Sequence, residues 1–248
     1  MKFDTYTLQA RVLPAFFFTA PFFFEANYII FTLGFEVTIS ATITNILLFA
    51  FLMFLANFVR YLGRKKESVL FKEWDGAPTV RFLRYSNSEY NEFKKNEIRT
   101  YLKMMFNHLS MPSEEDEKKD LEKCDKQYEA YIINLRALTR DTKEFPLLQA
   151  ENRSYGMLRN LYGIKTLSII SISVLILLNV CLCLFFPYIM PLITCVIINA
   201  IFGALLLLWI IIVSKNKIKD IANCYAERLL ETVTLLNENR GNKTKNKK

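Results

Sequence analysis

The sequence predicts an all-α integral membrane protein with two membrane helices on either side of a helical cytosolic insert. Of the 248 residues, 52% are hydrophobic and 23% are charged, so the apolar residues must be concentrated in separate segments. These segments lie at residues 12–35, 37–59, 167–187 and 189–213. Each is long enough for the roughly 20 residues that a spanning helix needs. The rest of the chain has room for one compact module, which excludes a large soluble enzyme.

The four apolar segments divide the chain into parts of different composition. The parts are a first helix pair at 1–59, a cytosolic helical domain at 60–166, a second helix pair at 167–213 and a basic cytosolic tail at 214–248. The formal net charge of +8 comes from the cytosolic domain and the tail. We expect residues 241–248 of the tail to be disordered and to contact anionic lipid headgroups.

Basic residues predict the orientation of the membrane helices, because short loops rich in Lys and Arg stay on the cytoplasmic side. They follow the second apolar segment, precede the third and follow the fourth: Arg60, Arg64, Lys65 and Lys66, then Arg159 and Lys165, then Lys215, Lys217 and Lys219. The connections at residues 34–36 and 187–189 contain neither Lys nor Arg. We therefore expect both termini and the insert to lie in the cytosol.

The insert has few glycines and no alternating strand pattern, so it is expected to be helical. After a break at Pro112, Ser113 is a suitable N-cap for a helix that reaches about residue 141. That helix carries an apolar stripe with spacings of three and four: Leu121, Cys124, Tyr128, Tyr131, Leu135 and Leu138. The stripe is short for a coiled coil. This short length favours an intramolecular hairpin with the helix at residues 89–109 over pairing between chains. The charged faces, such as residues 114–126, are expected to be solvated.

Two segments combine basic residues with aromatic and amide side chains. They are WDGAPTVRFLR at residues 74–84 and ENRSYGMLRNLYGIK at residues 151–165. The guanidinium group of arginine binds phosphate oxygens, aromatic rings stack on bases, and the asparagine amide hydrogen-bonds the edge of an adenine-like base. The candidate ligand-binding residues are Arg81, Arg84, Arg153, Tyr155, Arg159 and Asn160. The alternative is that these arginines neutralise nearby acids and satisfy helix ends.

Catalytic and metal chemistry have little support in the sequence. His108 is the single histidine, the five cysteines have no CxxC spacing, and the glycines form no phosphate-binding loop. No nucleophile with an adjacent base is apparent. We therefore expect a protein that is not an enzyme and that needs no cofactor and no metal.

Polar residues within the first two apolar segments are candidates for lining a pore. An intramembrane polar group is costly, so it usually faces a bundle interior or water. Glu25, Thr42 and Asn45 are the predicted pore residues. The alternative is an interfacial position for Glu25 and backbone bonding for the hydroxyl groups. Four helices enclose no wide pore alone, so conduction would require a homo-oligomer, most simply a cyclic one such as a tetramer.

The two strings at residues 74–84 and 151–165 resemble the small four-helix transmembrane effectors of bacterial anti-phage defence. The resemblance extends to the Hailong-type membrane effector, which is paired with a nucleotidyltransferase. It implies an ion channel in the bacterial inner membrane. It also implies that a nucleotide or short oligonucleotide, bound to the cytosolic domain, sets the state of the channel. An open channel would disrupt the membrane potential and abort infection. The alternative function is a membrane-anchored scaffold that docks a partner through the apolar stripe.

Overall fold

Every regular element in the described part of the chain is a helix. The computed structural model describes residues 4–34 and 37–245, without the side chains of residues 37–41, 48 and 239–245. Residues 35–36 of the predicted external connection at 34–36 lie outside this part. The helices are α1 (Thr5–Thr7), α2 (Leu13–Thr32), α3 (Val37–Glu73), α4 (Pro78–Arg81), α5 (Glu92–Met105), α6 (Glu114–Lys119), α7 (Leu121–Leu138), α8 (Pro146–Phe185), α9 (Leu192–Ile212) and α10 (Lys215–Lys245). A π-helical turn, Leu8–Val12, joins α1 to α2.

Four helical stretches are long and apolar enough to cross a membrane, as the sequence predicts. They are Thr5–Thr32, Thr42–Arg81, Pro146–Phe185 and Leu192–Ile212. The all-helical class is therefore confirmed for the described residues. The orientation of the helices and the association of several chains stay predictions.

The chain divides into two compact units. The first contains Met1–Ser68 and Arg153–Ile218, and the second contains Val69–Asn152 and Lys219–Lys248. All four predicted apolar segments fall in the first unit. The second unit takes up most of the predicted cytosolic domain and also the C-terminal segment.

In the first unit, α3 and α8 approach each other closely at two glycines. A Cβ atom on Gly163 would lie 2.5 Å from the nitrogen of Gly63 and 2.6 Å from its Cα. The two backbones therefore touch at a point where no other residue fits, a form of packing common between membrane helices. Near this crossing, Lys165 caps α9, because its Nζ donates to the carbonyl groups of Ile210 and Val213 at 3.1 and 2.7 Å.

The core of the second unit combines α5, α7 and α10. The predicted stripe packs inside the unit through the buried side chains of Cys124, Tyr128, Tyr131 and Leu135. Ser113 is the N-cap of α6 as predicted, with its hydroxyl accepting a bond from the Asp116 amide. The long helix predicted up to about residue 141 is instead broken at Asp120, which ends α6 and caps α7.

The C-terminal segment differs most from its prediction as a tail. Residues 215–245 form a helix, and Ala226, Leu229, Leu230 and Val233 lie in the same core as α5 and α7. The reason is an apolar stripe in which Ile218, Ala222, Ala226, Leu229 and Val233 follow one another at helical spacing. Helix also continues into residues 241–245, where the sequence suggests disorder.

Candidate functional site

Arg81 and Arg84 lie in the second unit, and acidic residues of that unit neutralise both. Arg81 donates to the carbonyl of Trp74 at 3.0 Å and to the carboxylate of Glu89 at 2.5 Å. Arg84 forms a two-pronged pair with Asp125, at 2.8 and 2.6 Å, and bonds Asp75 at 2.6 Å. Both arginine side chains are buried. This geometry matches the alternative in which the arginines neutralise nearby acids.

The two acidic partners of Arg84 differ in their access to water. The side chain of Asp75 is 80% exposed, whereas that of Asp125 is 27% exposed. Burial alone would lower the pKa of Arg84, but the hydrogen bonds and charges of Asp125 and Asp75 outweigh it and raise the pKa above its ordinary value. Asp75 has a left-handed backbone, with φ of 59°, and Gly76 follows with φ of 116°. The Asp75–Gly76 turn is therefore the side of Arg84 that a soluble anion could reach.

Three further buried charges, which lie outside the two basic strings, fix the segment 82–91 of the second unit. Lys95 donates to the carbonyl of Asn87 at 2.5 Å, and Arg99 donates to the carbonyl of Leu83 at 2.7 Å. The carboxylate of Glu117 accepts bonds from the Tyr85 amide at 2.7 and 2.9 Å. The expectation that residues 114–126 are solvated is therefore wrong for Glu117.

The pKa shifts in this cluster follow from burial and from neighbouring charge. Burial lowers the pKa of Lys95, and the charge of Arg99 lowers it further. Burial also raises the pKa of Tyr128, whose hydroxyl donates to Glu117 at 2.5 Å, and the Glu117 charge adds to this effect. Glu117 precedes Leu121 by four residues, so it continues the apolar stripe. A charge at a stripe position is the signal that could have identified it.

The residues of the second string lie in the first unit and join three segments of it. Arg153 donates to the side-chain oxygen of Gln9 at 2.9 Å. Tyr155 donates to Glu67, and Arg159 approaches the same carboxylate at 3.3 and 3.4 Å. These contacts attach α8 to α3 and to the N-terminal segment.

Asn160 supplies a hydrogen bond that a proline removes from the first apolar segment. Pro14 has no N–H group, so the carbonyl of Ala10 lacks the donor that a regular α-helix would supply four residues later. The Nδ2 of Asn160 donates to that carbonyl at 2.5 Å, and Asn160 is completely buried. The amide therefore acts as a structural donor here.

The six predicted ligand residues are thus divided between the two units. Arg81 and Arg84 belong to the second unit, and the other four belong to the first. Each has a partner within its own unit. Their role in ligand binding stays a prediction.

The predicted pore residue Glu25 lies in a buried polar cluster of the first unit. Glu25 is 3% exposed, and neither of its carboxylate oxygens has a hydrogen-bond partner. The Asn179 side chain lies beside the carboxyl group, and the Oδ1 of this amide also has no partner. The Nδ2 of Asn179 is 3.2 Å from the Oδ1 of Asn199, whose own amide bonds Cys195. A bare carboxylate is costly in such an interior.

Thr42 and Asn45, the other predicted pore residues, lie on the exposed surface of α3. Asn45 pairs reciprocally with Asn27 of α2, with distances of 3.2 and 3.4 Å between the amide groups. The structure therefore does not bring Glu25, which is buried, to the same surface as Thr42 and Asn45. Asn27, which is not among the predicted pore residues, lies beside Asn45 instead.

The described residues contain no group of three or more His, Cys, Asp and Glu side chains that could hold a metal ion. Over residues 4–34 and 37–245, the fold and the polar groups thus define an all-helical protein with four helices suited to a membrane and a second unit rich in buried charge. No family model, no curated protein and no solved structure matches this chain.

Proposed function

We propose that the chain is a homo-oligomeric, ion-conducting effector of bacterial anti-phage defence in the inner membrane, with both termini in the cytosol. The observation that supports conduction is the exposed amide pair between Asn27 and Asn45. Both residues belong to helices that are long and apolar enough to cross a membrane. In our proposal, a tetramer is the simplest assembly.

The amide pair favours a pore because of where its polar atoms point. Large apolar side chains surround it on the exposed face of α3, and Ile46 and Leu47 are 62% and 64% exposed. Amide groups on such a face would meet hydrocarbon in an isolated chain, at a cost in free energy. Association of several chains around a water-filled path removes this cost. Thr42 lies one helical turn before Asn45 on α3, so it adds a second polar side chain to the same exposed surface.

The proposed ligand is a nucleotide or short oligonucleotide made by a partner nucleotidyltransferase, and this part of the proposal rests on the resemblance of the two strings. The buried ion pairs limit how such a ligand could bind. A phosphate would have to displace a carboxylate from an arginine, and Asp75 is the exposed partner of Arg84. We expect the ligand to exchange with Asp75 and to leave the pair between Arg84 and Asp125 intact.

Conduction is tested by replacing the amide pair with leucine. Cells that express the Asn27→Leu, Asn45→Leu protein should lose less potassium than cells that express the original chain, because the polar path is removed. The control is Ile46→Leu, which changes an exposed apolar neighbour of the pair. Membrane insertion and oligomer size should be unchanged in both variants. Equal potassium loss in all three proteins would contradict conduction through this face and favour the scaffold.

Ligand binding is tested separately with an oligonucleotide of four deoxyadenylates and the full-length protein in detergent. If a phosphate exchanges with Asp75, Asp75→Asn should bind this probe more tightly because the competing carboxylate is gone. The dependence of log K on log salt should have a slope of about −0.7 for each neutralised phosphate, and Arg84→Gln should make it shallower. Unchanged affinity in Asp75→Asn would exclude this mode of binding.

A further inference from the structure

Three segments of the first unit meet at Asn160. The amide of Asn160 bonds the carbonyl of Ala10, and a Cβ atom on Gly63 would lie 2.2 Å from the Asn160 Oδ1. The π-helical turn, α3 and α8 therefore come into contact at one point. The contact is tight because Gly63 has no side chain.

Each segment carries an arginine next to this contact. Arg11 follows Ala10, Arg64 follows Gly63, Arg159 precedes Asn160, and Arg60 lies one turn before Arg64. The charges of Arg11, Arg64 and Arg159 all act on Arg60. We name these four residues the arginine cluster.

Little negative charge compensates the arginine cluster. Glu67 accepts bonds from Arg159 and Tyr155, so this acid is already engaged. Among the described side chains, none forms an ion pair with Arg11, Arg60 or Arg64. The Nε of Arg11 is buried and has no acceptor. Asp4 is close enough for its charge to interact with that of Arg11, but the two side chains form no ion pair. The cluster therefore contains guanidinium groups without an ion-paired anion.

The cluster lies at the ends of two apolar segments. Arg11 immediately precedes the segment at 12–35, and Arg60 immediately follows the segment at 37–59. Tyr6 also lies there, with its ring centre 5.9 Å from the Arg11 guanidinium. Tyrosine and arginine at the end of a spanning helix are typical of the headgroup layer, and basic pockets between helices bind lipid phosphates there.

We propose that the arginine cluster is a binding site for a phosphate group, which the headgroup of an anionic phospholipid or a soluble phosphate compound supplies. The planar fork of arginine bonds two phosphate oxygens at once. One phosphate placed between the three segments would bond arginines from more than one of them and hold the segments together. This proposal does not depend on ion conduction.

The test measures the melting temperature of the full-length protein in detergent. One series adds phosphatidylglycerol or phosphatidylcholine with the same acyl chains, and a second adds sodium pyrophosphate without lipid. Stabilisation by phosphatidylglycerol alone identifies the headgroup as the source of the phosphate. Stabilisation by pyrophosphate identifies a soluble source. If neither phosphatidylglycerol nor pyrophosphate raises the melting temperature, the proposal is overturned.

A pair of charge-matched variants separates a built site from general surface charge. Arg60→Gln, Arg64→Gln removes two charges from the cluster, and Lys65→Gln, Lys66→Gln removes two from neighbouring positions of the same helix. The first variant should need at least fivefold more of the stabilising compound, and the control should stay within twofold of the original protein. Equal weakening in both variants would overturn the proposal.

The same variants test whether the cluster repels itself. Without any added anion, the Arg60→Gln, Arg64→Gln protein should melt no lower than the original chain, because two uncompensated charges are gone. A melting temperature well below that of the original chain would show that these arginines already have stabilising partners. That result would also overturn the proposal. Neither outcome bears on potassium loss, so this test is independent of the proposed function.

Discussion

The two acids that bind Arg84 should contribute very differently to the stability of the second unit. Asp125 accepts bonds at 2.8 and 2.6 Å and is mostly buried, whereas Asp75 accepts one bond at 2.6 Å and is 80% exposed. Exchanging each aspartate for asparagine removes its charge and keeps its size. Asparagine also tolerates the left-handed backbone at residue 75. The two substitutions are thus closely matched.

The expected difference follows from the bond geometry. An amide offers one acceptor oxygen where the Asp125 carboxylate offers two, and a bond to a charged group contributes about 1 kcal/mol more than a neutral one. Asp125→Asn should therefore cost about 2 kcal/mol. Exposed ion pairs contribute about 0.5 kcal/mol, so Asp75→Asn should cost no more than that. For a unit of about 100 residues, these costs correspond to melting temperatures lower by roughly 8 °C and 2 °C.

The assay can observe the second unit alone because each unit contains one tryptophan. Trp74 lies in the second unit, next to Asp75, and Trp209 lies in the first. In a Trp209→Phe background, the fluorescence of the full-length protein in detergent reports the surroundings of Trp74 during heating. Equal shifts for the two aspartate variants, or a shift below 2 °C for Asp125→Asn, would refute the assignment of Arg84 as a buried structural cation.

Three further predictions concern packing, alkaline pH and orientation. Gly163→Ala should destabilise the first unit by about 2 kcal/mol, because its methyl group would meet the backbone of Gly63. Gly203→Ala, which meets nothing within 4 Å, should leave the melting temperature of the unit nearly unchanged or slightly higher. Burial, with Glu231 and Glu227, raises the pKa of Tyr90 to about 12, so the folded state keeps a proton that the unfolded state loses above pH 10. Between pH 10 and 12, this proton should cost the original protein about 2 kcal/mol of unfolding free energy, and the Tyr90→Phe protein should lack this part of the decrease. Equally steep curves of stability against pH for the two proteins would contradict this. A reporter fused after Lys66 should be active in the cytosol, and activity outside the cell would contradict the predicted orientation.

The parts of the fold that the sequence predicts are those with a strong local pattern. The four apolar segments are long enough to indicate membrane-spanning helices, and the stripe that includes Tyr128 and Leu135 repeats at helical spacing. The role of α10 was harder to predict because its many basic residues suggest a solvated tail. Its apolar residues nevertheless recur at helical spacing. This spacing, and not the net charge, indicates that α10 packs into the core of the second unit.

The candidate site was less predictable because its chemistry depends on pairing across the fold. The sequence identifies Arg84 as notable, but its partner Asp125 is 41 residues away. Whether an arginine binds a phosphate or a carboxylate depends on which acid the fold places beside it. The burial of Glu25 similarly depends on α8, which supplies Asn179. A spacing pattern within one helix contains no information about either neighbour.

The bond between Asn160 and Ala10 has a consequence for the biosynthesis of the protein. Its two residues are separated by 150 positions in the chain. At about 5–20 residues per second, the ribosome makes Asn160 roughly 8–30 s after Ala10. During that interval, the carbonyl exposed by Pro14 must be satisfied by water or by another transient donor. The nascent N-terminal helix can therefore reach its final packing only after α8 has been synthesised.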